Sequence, residues 1–85
     1  MASYSLLIKR SAAKELEDLP LKDRRRIVRR IQDLAADARP AGAEKLTGED
    51  KYRVRQGSYR ILYAIDDAAR TLMVVKIGQR GDVYR

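Results

Sequence analysis

Arginine gathers on one short segment, KYRVRQGSYRILYAI at 51–65. The segment reads as two strands joined by a Gly57-Ser58 turn of type II′, which sets Gln56 opposite Tyr59 and Arg55 opposite Arg60. Arg53 then falls opposite Leu62, so Arg53, Arg55 and Arg60 share one face. Tyr52 with Tyr63, and Val54 with Ile61, line the other. Like charges directly across a ladder are destabilising. A face with this pattern and no acid before Asp66 is suited to holding an anion. A guanidinium presents five fixed donors and a permanent charge, which matches a phosphate better than any other side chain does. Lys76 and Arg80 have matching parity on the last strand, and Tyr84 follows in the tail.

Other chemistries lack their residues. The 85 residues include no Cys and no His, so disulfides, thiolate chemistry, the usual zinc sites and imidazole acid-base catalysis are excluded. No serine has an evident activating base. Asp66-Asp67 reads as turn chemistry rather than a metal site. Glu15, Glu17 and Asp18 read as helix surface, and the glycines form no phosphate loop. No cofactor or metal is expected. Nineteen Lys plus Arg against twelve Asp plus Glu leave a formal charge of +7. Such a balance points to nucleic acid, an acidic protein or a membrane surface as partner. The apolar run in MASYSLLIKR is too short for a signal peptide or a span. The chain is therefore expected to be soluble and cytoplasmic.

The elements that must position the arginines follow from periodicity. Tyr4 to Lys9 is a short opening strand. Ser11 is the expected N-cap of a helix carrying Ala12, Leu16 and Leu19, which Pro20 ends. A second helix is expected from about Lys22 to Ala38, with Ile27, Val28, Ile31, Leu34, Ala35 and Ala38 apolar. Arg24, Arg25, Arg26, Arg29 and Arg30 on that helix read as a solvated face near Asp33 and Asp37. Residues 40–50 are expected to be a loop. The run TLMVVKIG (71–78) should be an interior strand. The whole is one α+β domain over 1–85 in the order β-α-α-β-β-β: an N-terminal strand and a helical hairpin on a mostly antiparallel sheet of about four strands.

Two segments carry a family resemblance: G-x-Y-R-hydrophobic-hydrophobic-Y at 57–63 and G-x-R-x-x-hydrophobic-Y at 78–84. With the strand, helical hairpin and basic strand before them, they make the chain resemble the RelE/ParE superfamily of bacterial toxins over essentially its full length. The resemblance implies the toxin of a type II toxin-antitoxin system: a ribosome-dependent, metal-independent endoribonuclease that cuts mRNA in the A site by attack of a 2′-hydroxyl on phosphate. It implies an antitoxin, the small ribosomal subunit with its rRNA, and mRNA as partners. Carried over position by position, it implies catalytic roles for Arg53, Arg55, Arg60, Arg80 and Tyr84, with Lys51, Lys76, Gln79 and Arg85 contacting RNA. Arg53 and Arg55 stand where RelE-type toxins carry lysines, and Gln79 where relatives often carry Lys or His. ParE-type relatives, which poison DNA gyrase, and a non-catalytic nucleic-acid- or antitoxin-binding module are the alternatives.

Overall fold

The computed structural model describes residues 3–46 and 51–79. Strand β1 (Ser5–Ile8) is followed by helices α1 (Arg10–Glu17) and α2 (Leu21–Ala36). Four strands complete the chain: β2 (Glu44–Lys45), β3 (Lys51–Gln56), β4 (Tyr59–Asp66) and β5 (Thr71–Gln79). One five-stranded sheet has the order β1-β5-β4-β3-β2. The α+β class and the helical hairpin match expectation. The extra strand is β2, in the segment expected to be loop. Its two residues have no strand-like pattern of their own, and they extend because Glu44 pairs with Arg53 and Lys45 with Tyr52.

The hairpin has the expected register, from Gln56 opposite Tyr59 back to Lys51 opposite Ala64. Gly57 has φ 61°, a conformation glycine adopts without a Cβ penalty. Strand β5 lies inside the sheet, antiparallel to β4 and parallel to β1. Its residues Leu72, Val74 and Ile77 are buried against the helices, whereas Met73 on the other face is exposed.

The start of α1 differs from expectation, while α2 begins where expected but ends at Ala36 rather than Ala38. Lys9, not Ser11, is the N-cap of α1, and no side chain caps it; Ser11 lies within the first turn. Helix α1 ends at Glu17, before Pro20, and Pro20 becomes the N-cap of α2. Proline suits a helix start because the first N–H groups have no intrahelical partner anyway. The buried stripe of α2 is Ile27, Ile31 and Leu34. Together with Ala12 and Ala38 it packs on Val54, Tyr59, Ile61, Tyr63, Ile65, Leu72, Val74 and Ile77. Both helices thus contribute to the core on one side of the sheet. The face bearing Arg53, Arg55 and Arg60 is the opposite one.

Candidate active site on the sheet face

Strands β3, β4 and β5 align the basic residues in rows across the sheet. One row runs Arg55, Arg60, Gly78. Its neighbour runs Glu44, Arg53, Leu62, Lys76. Lys51 opens the next, opposite Ala64. Lys76 reaches this face through an irregularity that simple alternation does not reveal. Leu62 pairs with Lys76 but Tyr63 pairs with Val74, so Val75 is an extra residue. The bulge switches the parity of β5. Without it Lys76 would share the core face with Leu72 and Val74; with it, Ile77 turns inward instead.

Arg55 is exposed, and its cross-strand neighbour is Arg60, whose own neighbour on β5 is a glycine. In the second row, both basic residues meet acids. Arg53 forms an ion pair with the Glu44 carboxylate. The Lys76 ammonium lies 3.2 Å from Glu15 Oε2, and the Ile77 N–H donates to Glu15 Oε1 at 3.0 Å. The expectation that no acid precedes Asp66 near this face is therefore corrected by Glu44, and Glu15 is more than helix surface. Strand β1 stops at Ile8, opposite Val74, and Glu15 satisfies the edge of β5 just beyond.

Gln79 pairs with Tyr59 in register, which places it toward the helices and away from the arginines. Arg80, Tyr84 and Arg85 lie outside the described residues. The structure thus brings Lys51, Arg53, Arg55, Arg60 and Lys76 onto one face. Leu62, on that same face, is only 8% exposed, flanked in register by Arg53 and Lys76. Toward β1 the face becomes apolar, with Ala64, Met73 and Leu7 in one row. Met73 and Leu7 are exposed. Among the described residues no group of acidic side chains is arranged to hold a metal ion.

The helix arginines are mixed in role. Arg24 donates to the carbonyls of Glu17 and Leu19 at 3.3 and 3.4 Å and so closes the C-terminal end of α1. Arg25, Arg26 and Arg29 are exposed, as a solvated face requires.

Hydrogen bonds from the core tyrosines hold the hairpin against the helices. The Tyr63 hydroxyl donates to the Ala38 carbonyl at 2.8 Å, and burial pushes its pKa up to about 12. Tyr59 donates to Asp23 at 2.9 Å, and that bond, with some burial, raises its pKa. Tyr52 stacks on Tyr63 with ring centroids 5.8 Å apart. A polar latch lies at the far end of the sheet. Arg39 donates to both Asp67 oxygens, at 3.2 and 2.9 Å, and to the Tyr52 hydroxyl at 3.0 Å. Tyr4 donates to Asp67 at 2.5 Å. The Arg39 bond first, then that from Tyr4, lowers the Asp67 pKa to about 2.

Two helices packed on one face of a five-stranded, mostly antiparallel sheet form the fold seen in solved RelE toxins. By sequence, residues 6–84 match the family of the ParE toxin of the type II toxin-antitoxin system parDE, and the chain belongs to that family as a type II toxin. It is 41% identical over 34 residues to Toxin RelG of Mycobacterium tuberculosis, a stretch covering 40% of this chain and 39% of that relative. The fold is similar to that in the RelBE2 toxin-antitoxin complex of M. tuberculosis, with TM-score 0.82 and 26% identity. That match covers 92% of this chain and 99% of the other. The archaeal RelE-RelB complex of Pyrococcus horikoshii matches at TM-score 0.80 and 26% identity, covering 95% and 99%. The isolated RelE toxin of Escherichia coli matches at 0.81 and 25%, covering 96% and 92%.

Proposed function

We propose that this toxin is a RelE-type mRNA interferase that cleaves mRNA in the ribosomal A site in the cytoplasm and is silenced by a cognate antitoxin. One observation carries the reading: Arg55 and Arg60 oppose each other on the helix-free face, with Arg53 in the adjoining row. Concentrated guanidinium charge there suits a backbone of closely spaced phosphates.

The chemistry that such a face serves is transesterification. The 2′-hydroxyl loses its proton to water and attacks the adjacent phosphorus; a 2′,3′-cyclic phosphate forms as the bond to the 5′-oxygen breaks and that oxygen takes up a proton. Arg53, Arg55 and Arg60 orient the scissile phosphate and stabilise the charge that builds on it. A guanidinium stays protonated near neutrality and does not serve as a base. In this reading Arg80 neutralises or protonates the departing oxygen, and Tyr84 stacks on a base to splay the nucleotides. Lys51, Lys76 and Arg85 contribute contacts to flanking RNA, whereas Gln79, in register with Tyr59 on the helix side, takes no part. A site without imidazole or metal benefits from a ribosome that fixes the mRNA geometry. The solved complexes of RelE toxins with RelB antitoxins support an antitoxin partner for this chain.

The match to the ParE toxin family favours a second reading, inhibition of DNA gyrase. Purified toxin is incubated with programmed ribosomes and mRNA 5′ ends are mapped, alongside a gyrase supercoiling assay. A-site cuts that vanish in Arg60→Ala and Arg80→Ala establish the interferase. No cuts from folded toxin, with supercoiling inhibited, establish the gyrase reading.

A further inference from the structure

Glu44 is the acid directly opposite Arg53 in the ladder, and its carboxylate forms an ion pair with the guanidinium. The two side chains differ in freedom. That of Arg53 is 17% exposed and that of Glu44 59%. The backbone of β2 is held by its pairing with β3 and by the Leu46 N–H, which donates to the Lys51 carbonyl at 2.8 Å. The Glu44 carboxylate can therefore leave Arg53 by rotating into solvent, with no change in the sheet. A carboxylate on a guanidinium presents the same two-oxygen edge as a phosphate.

We propose that Glu44 is a positioning residue that occupies on Arg53 the place taken by an RNA phosphate, so that RNA must displace it. This inference rests on the reading of the face as an RNA site. In the RNA-free protein Glu44 holds Arg53 in position and offsets charge beside the Arg55–Arg60 row. On binding, phosphate takes over Arg53 and the carboxylate is released to water. Glu44 thereby lowers RNA affinity and flattens its salt dependence, because one of the contacts replaces an existing ion pair.

The test is binding of a fluorescein-labelled eight-nucleotide RNA, 2′-O-methylated throughout so that it is not cut, followed by anisotropy between 20 and 150 mM salt (about one decade). Glu44→Gln should bind about three- to tenfold tighter, and its plot of log affinity against log salt should steepen by about 0.7. Glu44→Asp should match the wild type. Glu17→Gln makes the same change in net charge on the exposed end of α1 and should change affinity less than about twofold. The double variant Glu44→Gln/Arg53→Gln should lose the gain. Equal effects of Glu44→Gln and Glu17→Gln, or a gain that survives in the double variant, would overturn the proposal by reducing Glu44 to net charge. If RNA binds the wild type, Arg55→Ala weakens it and Glu44→Gln does nothing, this inference alone fails. If RNA binds no variant, the RNA reading of the face fails with it.

Discussion

Arg55 stands directly opposite Arg60 across the β3–β4 hairpin, and the neighbour of Arg60 on β5 is Gly78. Two cations thus occupy a ladder position that favours opposite charges. Replacing Arg55 by Ala should leave stability unchanged or raise it by a few tenths to about 1 kcal/mol. The same change should cut A-site mRNA cleavage by about 100-fold or more, as loss of one charge-stabilising donor does elsewhere. Denaturant melts and single-turnover cleavage measured on the same preparation check both halves. A large stability loss with unaltered cleavage would make Arg55 a structural residue.

Tyr63 ties the centre of β4 to the chain just past α2. Removing its hydroxyl strands the Ala38 carbonyl in the core, since the bond between them is 2.8 Å and buried. Tyr63→Phe should therefore cost about 1–3 kcal/mol. In a domain of this size that lowers Tm by roughly 5–15 °C. The mutant should retain the hairpin register, visible as unchanged cross-strand amide contacts by NMR.

Asp67 carries a pH signature. Its carboxyl titrates near 2 in the fold, held down by Arg39 and Tyr4, against about 3.9 unfolded. A depressed carboxyl pKa adds stability that is present above the unfolded value and lost as pH falls through the folded one. Wild type and Asp67→Asn should therefore differ in Tm at pH 7, converge between about pH 4 and 2, and coincide below. Tyr63 acts at the opposite extreme. Its pKa of about 12 lies above the ordinary value near 10, so the stability it confers is present below pH 10 and lost as pH rises toward 12. Absorbance at 295 nm should show a tyrosine that ionises only as the fold opens.

Glu15 separates two contributions. Glu15→Gln keeps an oxygen for the Ile77 N–H but loses the half-exposed pair with Lys76, at a cost of about 0–1 kcal/mol. Glu15→Ala removes the acceptor as well and should cost roughly 1–3 kcal/mol in total. Hydrogen exchange at the Ile77 amide should accelerate in the Ala variant and hardly change in the Gln variant.

Much of this molecule was readable from neighbouring residues. Alternation along 51–65, with glycine at the one turn position requiring positive φ, set the hairpin register and put Tyr59 and Tyr63 inward and the arginines outward. The 3.6-residue period located both helices, although it favoured Ser11 as a cap where the chain uses Lys9. These features depend on local geometry and on keeping apolar surface from water. Pairing between distant segments decided the rest. Val75 looks like any other residue of an apolar strand, and only the lateral match of β5 to β4 makes it the bulge that delivers Lys76 to the arginine face. Strand β2 exists because β3 lies beside it, which brings Glu44 onto Arg53. Glu15 finds Lys76 across 61 positions of sequence, and Arg39 finds Asp67 across 28. A charged side chain carries no record of its counterion in its own sequence neighbourhood. Which acid neutralises which base is decided by chain closure, which here sets Glu44 on Arg53 and Glu15 on Lys76.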